Sequence, residues 1–272
     1  MHYYQTGEHL HAKHAQIRNQ SGRKFEEWAL ELVAPTPNAR MLDVGCGWGR
    51  FSWPLIEQHG AQPANLICAD YSLGMVQSAA AEGRKRGHHP HFVNCGIETL
   101  PFADGAFEGV LANHVLYHVE PLAQGVRELA RVLHPDGWLM AATNGTVYVP
   151  VIDLHYKALD RLGIPYEPEP PGPFSLENGA AILEQSFAQV ERHDFVDEVI
   201  HADAAAFTQN YLTIGRYRNL IARDDISAAA KAALPNVFHE LADDIVQRDG
   251  AIHAPVLMGA FICKQPKHGC IV

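Results

Sequence analysis

No stretch of this chain is long and apolar enough to cross a bilayer as a helix. Its longest strongly apolar run, APVLMGAFIC, covers only residues 254–263, about half of what a spanning helix needs. The opening residues, MHYYQTGEHLHAKHAQ, contain no apolar core of the kind a secretory signal carries. Cysteine is scarce: Cys46, Cys68, Cys95, Cys263 and Cys270 form no CxxC pair and are odd in number. That excludes a disulfide framework and makes a reducing cytoplasm the expected setting. Cys270 stands third from the end, so the tail is not a prenylation box. Positive charge is also short, with 21 Lys and Arg against 31 Asp and Glu and a net charge of −10. Such a chain lacks the basic footprint of a nucleic-acid binder.

What is present suits a folded, ligand-binding domain. Apolar residues make up 47% of the 272 positions and charged residues 19%, enough for a substantial core and too little charge for disorder. The length fits one large domain, or one domain with an appended subdomain. Phe25, Trp28, Ala29 and Leu32 are spaced as one face of a helix over residues 23–33. The apolar segments ARMLDVG, LICAD (66–70), HFVNC (91–95), FEGVLAN (107–113) and WLMAATN (138–144) then alternate with helical stretches at about 50–59, 72–86 and 121–133. Ser72 is the expected cap of the second of these, and Gly87 its stop. HPDG is expected to turn the chain into the fifth strand. Alternation of this kind means right-handed βαβ units and a mostly parallel, doubly wound α/β sheet with helices on both faces.

Further on, a helix at 150–162 leads into the proline-rich connector IPYEPEPPGPF. A helix at 176–187 capped by Ser175, a sixth strand at 190–196, a helical region at 203–250 and a seventh strand at PVLMGAFIC follow. The expected organisation is an N-terminal helical segment or lid at 1–39, a core at 40–145, and the rest of the sheet at 146–272. Cover elements interrupt that last part at about 146–175 and 200–254. His2, His9, His11 and His14 cluster near the start, but no cysteine or carboxylate pattern supports a metal site there, so no metal is expected.

The strongest local signal is MLDVGCGWGR (41–50). Gly45, Gly47 and Gly49 follow a strand and precede a helix, where the backbone must turn sharply and lie close to a ligand. The spacing is G-x-G-x-G. The dinucleotide fingerprint G-x-G-x-x-G is missing, and so is the P-loop ending G-K-[ST]. Asp43 sits at the end of a buried strand, where a charged carboxylate is costly without partners. Asp70 ends the next strand, the place at which doubly wound folds hold a ribose-binding acid.

With these residues in place, the chain resembles the class I S-adenosylmethionine-dependent methyltransferases. It is most similar to their bacterial small-molecule group, which includes the ubiquinone/menaquinone-type enzymes. The stretches that carry the resemblance are MLDVGCGWGR, ICADYSLGMV, GIETLPFADGAFEGVLANHVLYHV and ELARVLHPDGWLMAATNG, with FSLENGAAILEQSFAQVERHDF downstream. Together they cover roughly residues 40–200. They are specific for a Rossmann-like, seven-stranded fold and for the cofactor, and weakly specific for the acceptor. The resemblance implies that Asp43, Gly45, Cys46 and Gly47 surround the amino-acid half of S-adenosylmethionine. It also implies that Asp70 accepts the ribose hydroxyls, that Tyr71 and Met75 pack beside the adenine, that Ile97 and Glu98 lie at its edge, and that Asn113 lies near the sulfonium. Relatives commonly read G-D-A-E where this chain has Cys95-Gly96-Ile97-Glu98, so the aspartate that binds the adenine amino group is absent. A backbone carbonyl or Glu98 is the expected substitute.

Methyl transfer from a sulfonium depends mainly on positioning. A base is needed only when the acceptor is protonated. His114, Tyr117 and His118 follow the fourth strand at the edge where parallel sheets place active sites, so they are the candidate catalytic residues. The implied activity is methylation of O, N or C of a small-molecule acceptor. Two alternatives remain: an RNA or protein methyltransferase, for which no basic groove or D/N-P-P-Y motif is visible (residues 113–116 read NHVL), and a non-methylating protein of the same fold. Tyr148, Tyr156, Tyr166, Phe174, Phe207, Tyr211 and Tyr217 are expected to divide between a satellite core and a closed pocket shared with Tyr117 and His118. Arg216 and Arg218 are expected to cover a surface helix.

Overall fold

The structure, a computed structural model, describes residues 21–36, 38–145, 150–167 and 172–267. The N-terminal histidines, Tyr3, Tyr4, Tyr148, Glu169 and Cys270 lie outside the described residues. The sheet strands are β1 (Met41–Val44), β2 (Leu66–Asp70), β3 (His91–Asn94), β4 (Phe107–Leu111), β5 (Leu133–Asn144), β6 (Phe187–His201) and β7 (Ile252–Pro266). Their order is β3-β2-β1-β4-β5-β7-β6. The pairings among β1 to β5 are parallel. β7 runs against both of its neighbours, so β6 points the same way as the first five.

The helices of the core are α1 (Phe25–Glu31), α2 (Ser52–Glu57), α3 (Leu73–Arg86) and α4 (Leu122–Val132). Their ends follow local chemistry. The Ser72 side chain accepts from the Met75 N–H at the start of α3, and Gly87 closes it in the left-handed region at φ 75°. One apolar cluster, with Leu42, Val110, Leu129 and Leu139, fills the α4 face of the sheet. A second, with Phe25, Trp53, Leu66 and Met140, fills the other. The doubly wound expectation therefore holds.

Several boundaries differ. HPDG does not simply precede the fifth strand. β5 pairs with β4 at Leu133, loses register through HPDG, and pairs again from Trp138 opposite Gly109. Pro121 caps α4 rather than opening it. The helix expected at 176–187 is only α5 (Gly179–Leu183). Asn178 Oδ1 accepts from the Ser175 N–H at 2.8 Å, which spends these residues on a turn. Phe187 is drawn instead into the sheet as the fully buried first residue of β6. Phe174, expected in the cover, packs in the main core against Phe261 at 5.9 Å.

β6 and β7 are much longer than the sequence suggests, and the excess positions a helical satellite. The last β5–β7 pair is Asn144 with Met258, yet β7 stays paired with β6 back to Ile252. Six further residues at about 3.3 Å each carry this hairpin roughly 20 Å past the carboxyl edge of β5. A helical satellite packs at that end. It is built from α6 (Pro150–Arg161), α7 (Ala204–Tyr211), α8 (Gly215–Ile221) and α9 (Ala228–Asp249). Its own core contains Leu154, Leu159, Phe207, Tyr211, Leu234 and Phe238. Tyr211 stacks on Phe238 with centroids 3.8 Å apart, and its hydroxyl lies 2.8 Å from His155 Nδ1. Arg216 donates to the Tyr156 hydroxyl at 2.6 Å, and Tyr156 stacks on Tyr166. Arg216 thus braces the satellite, and Arg218 is exposed on α8.

β7 leaves no room above Gly259. A Cβ there would lie 2.5 Å from the His193 carbonyl oxygen, a backbone atom, and 2.9 Å from Leu176 Cδ2. Gly259→Ala is expected to lower stability by about 1–3 kcal/mol, read as a drop in the thermal unfolding midpoint. An unchanged midpoint would contradict this packing.

Candidate active site

The glycine turn is pinned to β2 by its own backbone. The Gly45 and Cys46 N–H groups both donate to the Ala69 carbonyl, at 2.8 and 3.0 Å, and Gly47 N–H donates to Asp70 Oδ2 at 2.9 Å. Gly45, Gly47 and Gly49 all have positive φ, which is strained for any side chain. Gly45 also faces Val115: a Cβ on it would approach Val115 Cγ2 to 2.4 Å. Above Gly47 there is nothing within 4 Å of where a Cβ would stand. The turn is therefore closed toward β4 and open at Gly47.

Asp70 is shared between two backbone donors. Its Oδ1 accepts from Ser72 N–H at 2.8 Å while Oδ2 holds Gly47. Burial raises its pKa, and the two backbone hydrogen bonds and the His118 side chain oppose the rise. Tyr71, directly after it, is 79% exposed, an aromatic face left uncovered at the carboxyl end of β2. Met75 and Ile97 are buried close to this end of the sheet.

The substitution at Gly96 has a structural counterpart. A Cβ at Gly96 would stand 2.5 Å from Glu98 Oε2 and 3.6 Å from the Tyr71 ring. The Glu98 carboxylate thus occupies the volume that a longer residue at 96 would use, beside the exposed tyrosine. The Glu98 carbonyl accepts from Gln124 Nε2 at 3.2 Å, which fixes the turn.

Asp43 is 2% exposed. Its Oδ2 accepts from the Ser52 hydroxyl, and Ser52 in turn accepts from Cys68 Sγ at 3.3 Å. Burial pushes the Asp43 carboxyl up to about 7, against the Ser52 hydrogen bond and with a further rise from the Asp70 charge. Neither Ser52 nor Cys68 stood out in the sequence, because no spacing rule joins them to Asp43. The Cys46 and Cys68 thiols lie side by side, and their mutual hydrogen bond, together with burial, raises the Cys46 pKa. Both cysteines are free, and the raised pKa keeps Cys46 a protonated, unreactive thiol.

Past β4, Asn113 is 6% exposed. Its Oδ1 accepts from Ala142 N–H of β5 at 3.0 Å, and its Nδ2 has no hydrogen-bond partner. A buried donor left without a partner costs about 1–3 kcal/mol. His114 has φ 54°, rare for a residue with a side chain. Its ring packs against Phe25 (5.4 Å) and Phe51 (6.3 Å). Tyr117 is half-buried, His118 is exposed, and their rings are 4.4 Å apart. Loss of solvent around His118 lowers its pKa, with the Asp70 charge opposing. Of the three catalytic candidates, the pair Tyr117–His118 faces the Asp70 side, whereas His114 is walled by aromatic rings. A cavity of about 290 Å³ lined by Arg40, Asn65, Ile67, His91 and Phe107 lies at the opposite, amino edge of the strands, away from all these groups. Among the described residues no cluster suits a metal ion, and no helix is long and apolar enough to cross a membrane.

Residues 42–141 match the sequence family described as a methyltransferase domain. That segment is similar to a methyltransferase domain. A demethylmenaquinone methyltransferase of Beutenbergia cavernae is 33% identical over 124 residues, 46% of this chain and 48% of that protein. A malonyl-[acyl-carrier protein] O-methyltransferase of Legionella pneumophila is 35% identical over 132 residues, 48% of this chain and 44% of that protein. The chain thus spans about half the length of the curated relatives it matches. Among solved structures, the YcgJ protein of Bacillus subtilis aligns with a TM-score of 0.56 and 20% identity, over 88% of this chain and 97% of that one. The [4+2]-cyclase SpnF aligns at 0.52 and 19%, over 88% and 80%. These two likenesses concern the fold. The match to the family covers the glycine turn, Asp70, Glu98 and Asn113 of the methyltransferase domain, and stops before the satellite.

The buried acid gives the domain a pH signature. The unfolded Asp43 carboxyl ionises near 3.8 and the folded one near 7. Between these values the folded chain holds a proton that the unfolded chain has lost, so this residue's contribution to stability falls as pH rises through the window. Asp43→Asn removes that contribution. Its stability relative to wild type, from urea unfolding, is expected to improve steadily from about pH 4 to about pH 8. A constant difference would place the Asp43 titration elsewhere.

Proposed function

We propose that the chain is an S-adenosylmethionine-dependent methyltransferase acting on a small-molecule acceptor. The observation that carries this reading is the fastening of the open glycine turn to Asp70 beside the uncovered Tyr71, within residues that match a methyltransferase family. The residues fit the cofactor. Gly47 is open where a ligand must approach closely, Asp70 offers acceptor oxygens for ribose hydroxyls, and Tyr71 offers a face for the adenine. Glu98 supplies the acceptor that Gly96 lacks, for the adenine amino group. Met75 and Ile97 give that end apolar walls. Asp43, Gly45 and Cys46 shape the pocket for the amino-acid half, where a cationic amine would draw the Asp43 carboxyl toward its ionised form. The bound cofactor supplies an electrophilic methyl group.

The protein's share of the chemistry is positioning. Asn113 and the Tyr117–His118 pair stand at the carboxyl edges of the strands. His118 has a lowered pKa, so it is neutral near pH 7 and able to take a proton from a hydroxyl acceptor. The satellite on the hairpin overhang is the proposed specificity element, covering this edge with residues 146–175 and 200–254. The net charge of −10 favours a small acceptor over a nucleic acid.

Calorimetry with S-adenosylhomocysteine is expected to show binding, and NAD none. Asp70→Ala is expected to weaken that binding by about 1–3 kcal/mol through its ribose contacts and its hold on Gly47. NAD binding without a response to S-adenosylhomocysteine would defeat the proposal.

A further inference from the structure

We infer that Asn113 selects acceptors that offer an oxygen, not an amine nitrogen, to the transferred methyl group. The inference rests on the methyl-transfer reading above. Its basis is the way the amide is spent. The Asn113 side chain has one acceptor end and one donor end. The acceptor end, Oδ1, is taken by the Ala142 N–H at 3.0 Å. That bond also fixes which end is which, because a backbone N–H cannot donate to an NH₂ group. The donor end, Nδ2, is buried and unpartnered. Nearby, Val115 closes against Gly45, and the His114 ring packs between Phe25 and Phe51. The end of β4 therefore presents a fixed N–H donor in a setting walled by apolar side chains.

A fixed donor discriminates between nucleophiles by their lone pairs. A neutral amine has a single lone pair, and that pair must form the new bond to carbon. A hydrogen bond from Nδ2 would occupy it. An oxygen keeps a second lone pair, so it can accept from Nδ2 while the first attacks. For a carboxylate or phenolate the balance is complete without a base. One oxygen pair forms the C–O bond, the methyl–sulfur bond breaks with its electrons staying on sulfur, and no proton is released. The hydrogen bond is also stronger to an oxyanion than to a neutral group.

The test uses the whole chain with isotopically labelled S-adenosylmethionine. It presents a mixture holding equal numbers of carboxylates, phenols and primary or secondary amines, with products identified by mass and by the atom bearing the label. Products from carboxylates or phenols and none from the amines are expected. Asn113→Asp keeps the oxygen for Ala142 and replaces the donor by a second oxygen. It is expected to lower kcat/KM for the oxygen acceptor by roughly 10- to 100-fold, with S-adenosylhomocysteine affinity by calorimetry within about threefold of wild type. Asn113→Ala, which removes the donor without adding charge, serves if the aspartate variant does not fold. Products methylated on nitrogen would overturn the inference. So would a variant as active as wild type, or one whose S-adenosylhomocysteine affinity falls as far as its activity, since the donor would then serve the cofactor. A wild-type chain that binds no S-adenosylhomocysteine would defeat the methyl-transfer reading itself, a result distinct from any of these.

Discussion

The site hangs on one carboxylate. Asp70 holds Gly47 N–H with one oxygen and Ser72 N–H with the other, so a single side chain ties the glycine turn after β1 to the start of the helix after β2. Both donors are neutral backbone groups, and burial works against the charge they stabilise. A carboxylate kept in that position retains strong acceptor character, because its two hydrogen bonds leave further lone pairs free. Removing Asp70 therefore releases both the glycine turn and the start of the helix after β2.

Asp43 sits one strand away and is treated in the opposite manner. It is almost fully buried, with Ser52 as its hydrogen-bond donor, and its pKa rises to about 7. Two acids at the ends of neighbouring strands thus differ in how firmly each holds a proton. Burial is the largest cause for both, and it is more complete at Asp43; the two backbone N–H groups at Asp70 and the one hydroxyl at Asp43 oppose it. Asp70 adds to the shift of Asp43, because ionising both would place like charges close together in a poorly solvated edge.

The sequence made legible what is written locally. The G-x-G-x-G turn, the Ser72 cap, the Gly87 stop and the βαβ alternation each depend on residues close together in the chain, and all appear in the fold. In the short Cys95-Gly96-Ile97-Glu98 segment, where a backbone carbonyl or Glu98 was the expected substitute for the missing aspartate, the Glu98 carboxylate lies beside Gly96. Pairings between distant segments were less visible. The long pairing of β6 with β7, whose last six cross-strand pairs form the overhang, joins segments 51 to 79 residues apart, and its alternation is masked by charged residues such as Arg192, Asp194 and Glu198. The same holds for Phe174, whose partner Phe261 comes 87 positions later. Ser52, Cys68 and Ala142 entered the site only through contacts made by folding.

The glycine turn reads clearly because it is backbone geometry at strand ends, which permits few residue types: glycine where φ is positive, an acid where two N–H groups converge. The satellite on the hairpin overhang has a core made of interchangeable apolar and aromatic side chains. Packing of that kind constrains volume and hydrophobicity far more than identity, so different sequences build the same satellite. The family match ending at residue 141 falls at this boundary, three residues before β5 ends and the chain leaves for the satellite. The fold is shared with the [4+2]-cyclase SpnF. In this chain the buried amide of Asn113, at the end of β4, has its oxygen committed to Ala142 of β5 and its nitrogen without a hydrogen-bond partner, so the core fixes the orientation of that donor.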